Sequence, residues 1–530
     1  MPGYYVENFG CRATQADGAA LERQFEERGI ARASAPAQAS VVVLNTCTVT
    51  AAADQDARAA IRRVRRQNPE AEIVVTGCYA QRAPEEIAAL PGVSLVIGNS
   101  HKHQLAGIVG ASRVEPGTGI GWRSAFSAAE SFPTPVVSSI VASTVASAVA
   151  PAAEGISFVP LASLTAVERR EPEAGSPIFV SDIFAHTELL AAPVFDAAGD
   201  SHESERTRPN LKVQDGCDNR CSFCVIPYVR GQSRSLAMDQ VLREVNALVD
   251  SGFREVVISG INLGRWGREA GFGGGFRLPA PGSRKTHFTL SGSRKPEAGS
   301  RKPNFVSLVR AILAETALEK LRLSSVEPMD WTDELIALVA SSPRIARHAH
   351  VPMQSGSDAV LRRMHRKYRP WHYRARIEKI RAAMPNAAIG ADVMVGFPGE
   401  TDAEFESTRR LIDELPFTYL HVFTYSARPG TPAAQMSNQV PVHLARERNR
   451  VLRELAAEKK LAFMRGFVGK TLEAITLSVA GRNDECEFTE ALTDNYLKLR
   501  LRGRHEANKW LGVRVEDVVD GALVGAKASR

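Results

Sequence analysis

Residues 207 to about 440 repeat one pattern: a short β-rich run, a loop, and a helical stretch. The runs are "REVVISG", "KLRLSSVEP", "HAHVPMQSGS", "AAIGADVMVGFPGE" and "YLHVFTYSARPG", separated by helical stretches such as "SLAMDQVLREVNALVDSG" and "DELIALVASS". A strand that returns through a helix pairs with the next strand in parallel, so the pattern predicts a parallel (βα) barrel or partial barrel. Ligands of such folds sit on the loops after the carboxyl ends of the strands.

Residues 1–110 alternate in the same way on a smaller scale. "ASVVVLNTC" and "AEIVVTGC" read as buried parallel strands ending in cysteine, with the helix "DQDARAAIRRVRRQ" between them, which predicts a small α/β domain. Residues 111–206 turn Ala-, Ser-, Val- and Pro-rich without periodicity and read as an insertion or linker. A second insertion, 269–304, carries "GSRK" three times and reads as a disordered basic loop that could touch RNA. Residues 441–466 read as a linking helix and 467–530 as a small antiparallel β domain. In "NYLKLRLRGR" a period of two puts Lys498, Arg500 and Arg502 on one face and Leu497, Leu499 and Leu501 on the other. Such a cationic face suits a phosphate backbone, or protects an edge strand. Arg58, Arg62, Arg65 and Arg66 make a second basic face on the first-domain helix.

Hydrophobic residues at 44% and charged residues at 24% exclude a disordered or collagenous chain, and the net charge of +7 suits a polyanionic partner. The start "MPGYYVENFG" shows no secretory pattern, and "SFPTPVVSSIVASTVASAVAPAA" is too polar and Pro-broken for a membrane span, so a cytoplasmic protein is expected. The seven cysteines, Cys11, Cys47, Cys78, Cys217, Cys221, Cys224 and Cys486, are an odd set spread over a large chain. That argues against a disulfide framework and for metal or catalytic use.

Three of them crowd into "VQDGCDNRCSFCVIPYVRG". The C-x3-C-x2-C spacing lets one loop wrap a metal centre. A closed zinc site needs a fourth ligand, and none lies in the loop. A four-iron four-sulfur cubane held by three thiolates keeps one iron open for a substrate or cofactor. A non-catalytic iron–sulfur or zinc protein that binds RNA through its tail is the alternative of another class.

"GCDNRCSFCVIPYVRGQSRS" resembles the cluster loop of radical S-adenosylmethionine enzymes, and more narrowly of the methylthiotransferases. The resemblance implies that S-adenosylmethionine chelates the open iron and is cleaved by one electron, which needs a strongly reducing cluster, down to about −700 mV at the extreme. It places Phe223 on the adenine, Gly260 and Asn262 near the methionine amino group, and Ser324, Glu327 and Gln354 towards the ribose and methionine. Asp392, Val395 and Gly396 fall beside the adenine.

"NFGCRATQADG", "LNTCTVT" and "TGCYAQ" resemble the amino-terminal motifs of the same family, where Cys11, Cys47 and Cys78 would hold a second four-iron four-sulfur cluster. The implied reaction converts C–H into C–S–CH3, with the β tail resembling an appended RNA-binding (TRAM-like) barrel. "CDNRCSFCVIPYVRG", "TDNYLKLRL" and "HVFTYSARPGTPA" look most like the branch that modifies threonylcarbamoyladenosine at position 37, in the anticodon loop of tRNA, at C2. The isopentenyladenosine enzyme and the enzyme acting on a ribosomal-protein aspartate share these cysteines and stand as alternatives. An electron donor such as flavodoxin or ferredoxin is implied, while the sulfur donor stays unassigned. Two departures stand out: the insertions, and Thr14 where the family commonly has Asn. Cys486 matches no cluster motif.

Overall fold

The structure is a computed structural model that describes residues 3–112, 178–186, 189–190, 208–269, 303–482 and 487–528. The apolar run 131–153, the GSRK repeats and Cys486 lie outside the described residues, as do most of both insertions. Among the described residues no helix is long and apolar enough to cross a membrane.

The amino-terminal domain is one parallel sheet in the order β2-β1-β3-β4-β5-β6. Its strands are β1 (Gly3–Asn8), β2 (Ala31–Arg32), β3 (Val41–Thr46), β4 (Glu72–Gly77), β5 (Val93–Gly98) and β6 (Ile178–Phe179). Both faces are covered, which explains the unbroken apolar runs. Val42 and Leu44 pack under the helix α2 (Ala51–Gln67), and Val41 and Val43 pack with Leu21 and Phe25 of α1 (Arg12–Glu26). Strand β6 corrects the reading of 111–206 as linker throughout, because this part of it adds an edge strand to the sheet. Two residues are too few for the periodicity of a strand to register in sequence.

The middle of the chain is a parallel partial barrel. Its parallel strands are β7 (Asn210–Asp215), β9 (Glu255–Gly260), β10 (Lys320–Leu323), β11 (His348–His350), β12 (Ala388–Val395) and β13 (Tyr419–Thr424), while the short β8 (Arg234–Ser235) runs antiparallel beside β7. The two sheets, β10-β9-β7-β8 and β11-β12-β13, join through the parallel bridges Leu321↔Ile345 and Ser325↔His350. Alternation decides which side chains face in. Leu211, Val213, Val256, Ile258, Leu321, Leu323, Ile389 and Val393 pack outward under the helices, and their neighbours line the interior.

The carboxyl-terminal domain is a closed barrel in the order β14-β15-β16-β18-β17. Its strands are β14 (Thr471–Arg482), β15 (Glu487–Thr493), β16 (Lys498–Arg502), β17 (Trp510–Val519) and β18 (Ala522–Lys527). The expectation of an antiparallel barrel needs one amendment: β16 and β18 pair in parallel. The β17–β18 hairpin is reached by the connection 503–509 and returns its second strand beside β16, closing the ring. The helix Val442–Arg465 links this domain to the partial barrel, with Met464 at its end in the small barrel's core.

Candidate active site

In the amino-terminal sheet β1, β3 and β4 are neighbours, so their carboxyl ends open side by side. Cys11 stands exposed at the start of α1, Cys47 follows β3, and Cys78 opens the short helix α3 (Cys78–Arg82) after β4; the last two are buried. Gly10 has φ +93°, and a Cβ there would stand 2.8 Å from Cys47 Sγ. Only glycine lets the Cys11 loop come this close. Burial, and next the neighbouring Cys78, push the Cys47 thiol up to about 12.

Cys217, Cys221 and Cys224 lie half-buried on the loop after β7. Polar groups aim at the sulfurs. The Asn219 N–H (3.4 Å) and Asn262 Nδ2 (3.5 Å) donate to Cys217 Sγ, and Arg366 Nη1 donates to Cys221 Sγ at 3.2 Å. Burial, and then Cys221, push the Cys224 thiol up to about 12, so as a free thiol it stays protonated. Donors directed at sulfur are what thiolate ligands of an iron–sulfur cluster require, and the set fits such a cluster. Among the described residues no three Cys, His or carboxylate groups converge on one point as ligands of a single ion would; thiolates of a cubane each bind a different iron.

The two trios meet. Cys78 packs against Val225 and Val229, directly after Cys224, and Asn99 Nδ2 bridges the domains, donating to the Val229 carbonyl (2.7 Å) and to Cys78 Sγ (3.6 Å). Beneath this contact lies a buried ionic network that the sequence reading missed. Asp17 of α1 pairs with Lys102, Lys212 and Arg230, and Asp215 pairs with Lys212 (2.8 Å) and Arg230 (3.0 Å). Three cations face two carboxylates. Thr14, the departure noted above, belongs here: its hydroxyl lies 3.5 Å from both Cys11 Sγ and Arg230 Nη2. A second network, Arg428 and Arg82 on Asp54 with Thr48, ties the loop after β13 to the residue following Cys47.

Burial raises the Asp17 carboxyl, but Lys102, Lys212 and Arg230 outweigh it and hold it at about 2, against an ordinary 3.8. The unfolded chain therefore binds a proton at Asp17 before the folded chain does. The stabilisation is complete above about pH 4 and is lost as pH falls through about 2, an effect of about 2 kcal/mol. Acid unfolding curves should show this slope, and Asp17→Asn should flatten it. An unchanged slope would mean that Asp17 does not carry the charge of the network.

The inner wall of the partial barrel holds the predicted cofactor residues together with polar atoms that have no partner among the described residues. Asn262 Oδ1, Gln354 Oε1, Ser259 Oγ and Asn210 Oδ1 are buried and unsatisfied. Orphan groups of this kind ask for a polar ligand, because each one left dry costs about 1–3 kcal/mol. Gln354 takes φ +64° and Gly260 sits where a Cβ would crowd Gln214, whose Oε1 accepts from the Asn262 N–H at 2.6 Å. Ser324 is half-buried just past β10. Glu327 pairs with Arg366, the donor to Cys221. Phe223 meets Phe397 edge-on at 6.4 Å.

Asp392 faces inward, 3.4 Å from His350 Nε2. The Val395 side chain lies in the outer hydrophobic core, since odd-numbered residues of β12 point away from the interior. Gly396 gives its N–H to Glu400; its φ of +74° and the Ala445 methyl, which a Cβ there would strike, both require glycine.

The basic faces differ in freedom. Lys498 and Arg502 are exposed and Arg500 half-buried, as period two predicts, but Arg500 lies 3.3 Å from Asp520 and Arg502 3.1 Å from Glu516. On α2, Arg58 donates to Tyr79 Oη (2.7 Å) and pairs with Glu86, and Arg65 caps the Pro69 carbonyl; Arg62 and Arg66 stand exposed.

A three-cysteine loop at the carboxyl ends of a partial parallel barrel defines a radical S-adenosylmethionine enzyme, and the model of the Radical SAM superfamily matches residues 211–412. A model described as "Uncharacterized protein family UPF0004" matches residues 3–98. The chain is 32% identical to the threonylcarbamoyladenosine tRNA methylthiotransferase MtaB of Bacillus subtilis, over 94% of this chain and 90% of that one. It is 31% identical to the protein of the same name from Aquifex aeolicus (96% and 99%), and 32% identical to the tRNA-2-methylthio-N(6)-dimethylallyladenosine synthase of Novosphingobium aromaticivorans (89% and 86%). The chain belongs to the radical S-adenosylmethionine methylthiotransferase family. Membership implies S-adenosylmethionine and a four-iron four-sulfur cluster as cofactors.

Proposed function

We propose that the chain methylthiolates C2 of N6-threonylcarbamoyladenosine at position 37 of tRNA, using two four-iron four-sulfur clusters and two molecules of S-adenosylmethionine per turnover. The observation that carries the reading is the contact of Cys78 with Val225 and Val229, which sets one thiol of the amino-terminal trio against the segment that follows Cys224. Cys217, Cys221 and Cys224 would hold the cluster that supplies the electron for S-adenosylmethionine cleavage, and Cys11, Cys47 and Cys78 the one that supplies or carries sulfur. The protein's share is placement. Asn219, Asn262 and Arg366 favour the thiolate form of the first trio through charge-assisted and N–H hydrogen bonds. Asn262 and Gln354 offer unpaired oxygens to the polar end of the cofactor, and Phe223 a ring to its base.

Lys498, Arg500 and Arg502, with Arg62 and Arg66, would meet the phosphate backbone, and a target base must leave its stack to enter the barrel. A small acidic electron carrier such as flavodoxin or ferredoxin would supply electrons, and the reaction would take place in the cytoplasm with the tRNA pool. The substrate rests on the names of the MtaB relatives, which outnumber the dimethylallyladenosine synthases among the strongest matches. Mass spectrometry of tRNA nucleosides from a strain lacking the gene decides it. The 2-methylthio derivative of threonylcarbamoyladenosine should vanish and return on complementation; its persistence would reject the reading.

A further inference from the structure

At the amino-terminal end of the partial barrel a stack of rings is shared by the barrel and the carboxyl-terminal domain, with Arg12 of the amino-terminal domain beside it. His348 lies parallel to Tyr419 (5.9 Å between ring centres), Tyr419 to His350 (6.0 Å), and His421 closes on both Tyr419 (5.4 Å) and His350 (5.6 Å). Tyr496, from the turn between β15 and β16, completes the group 4.6 Å from His348 and 5.7 Å from Tyr419. Gly390 makes room for it, since any Cβ there would run into the Tyr419 ring. His421 is exposed and Tyr419 half-exposed, so the stack has an open side. Ring faces of this kind accept a flipped base sequence-tolerantly, each stacked base contributing about 1–3 kcal/mol.

The cations packed near the stack have carboxylate partners, with one exception. Arg208 and Arg322 share Glu255, at 3.7 and 2.6 Å. Lys212 is held by Asp17 and Asp215, and Lys320 lies 3.4 Å from Glu473 and 3.7 Å from Asp494. Arg12 has no carboxylate within ion-pair distance among the described residues. Its one side-chain hydrogen bond among them runs from Nη2 to Tyr496 Oη at 3.3 Å. The Arg12 carbonyl accepts from Asn210 Nδ2 (3.2 Å), which fixes the first turn of α1 on β7 and aims the guanidinium at the rings. Although Arg12 follows Cys11 in sequence, its long side chain carries the charge away from the cysteines to the third domain.

The threonylcarbamoyl group hangs from N6, across the six-membered ring from C2, and ends in a carboxylate. A base presenting C2 to the cysteines points that carboxylate elsewhere, and a half-buried, unpaired guanidinium is the group best shaped to receive it in a two-pronged contact. We propose that Arg12 binds the carboxylate of the N6 substituent and thereby selects a carboxylate-bearing base over one with an uncharged alkenyl group. This rests on the threonylcarbamoyladenosine reading above.

The test is equilibrium binding of the full, cluster-reconstituted chain to fluorescein-labelled anticodon stem-loops, read by anisotropy without turnover. Three RNAs are compared, bearing N6-threonylcarbamoyladenosine, its methyl ester, or N6-isopentenyladenosine. Their phosphate contacts are identical, so differences report the substituent. The unsubstituted protein should bind the acid roughly ten- to hundred-fold tighter than the ester. Arg12→Gln should erase that preference with the ester's Kd unchanged, and Arg12→Lys should keep part of it, with iron content and absorbance equal in all three proteins. Equal weakening on acid and ester would reveal a structural role and overturn the assignment, as would an unchanged acid Kd. If the unsubstituted protein itself favours the isopentenyl RNA, the substrate reading fails first, and the failure is visible before any variant is made.

Discussion

Cys47→Ala will leave S-adenosylmethionine cleavage intact and abolish methylthio transfer, whereas Cys221→Ala will stop both. The asymmetry follows from the architecture. Cys217, Cys221 and Cys224 sit on one loop of the partial barrel, and their hydrogen-bond donors, Asn219, Asn262 and Arg366, also belong to that barrel. The amino-terminal trio is built on a separate sheet and touches the barrel through packing and hydrogen bonds, not through a shared thiol. Removing Cys47 therefore spares every group around the first trio. The measurements are 5′-deoxyadenosine released under anaerobic turnover, methylthiolated nucleoside by mass spectrometry, and iron, which should fall from about eight per chain to about four in either variant. Equal loss of cleavage in both variants would show that the trios act as one unit.

The second large effect is on stability. Arg230→Met removes one of three cations from the network of Asp17, Lys102, Lys212 and Asp215, all of it buried. Two carboxylates then face two lysines across a domain boundary, with Arg230's bonds to both acids gone. The two lysines still balance the two acids, so the cost is that of the lost charge-assisted bonds, about 1.5–3 kcal/mol. Hydrogen exchange should report this as lost protection in α1 and β7, the elements the network joins, with the carboxyl-terminal barrel unaffected. A loss below about 1 kcal/mol, or one spread evenly over all three domains, would mean that the network is not what holds the amino-terminal domain to the barrel.

Much of the site was legible because thiols are rare in this chain and fall at strand ends. The six cysteines, the strand–helix alternation and the basic alternation of β16 could all be read from spacing. The inner wall was readable in principle. In "KLRL" and "HAHV" charged or polar residues alternate with apolar ones inside strands of a parallel sheet, where both faces are ordinarily apolar. That alternation is the signature of a barrel whose interior is a working cavity rather than a packed core. Val395 belongs to a motif by sequence, and period two turns its side chain into the outer core.

Sequence alone determined the local chemistry: which residues are thiols, which segments are strands, and which strand faces are charged. These follow from properties of neighbouring residues, a period of two or 3.6 and the spacing within one loop. Only the tertiary structure decided what stands beside what. Cys78 against Val229, Asp17 against Arg230, and Arg12 against Tyr496 join residues hundreds of positions apart, in domains whose relative placement is set by packing and buried charge pairing. No periodicity encodes such contacts, because the free energy that selects them belongs to surfaces that exist only after each domain has folded.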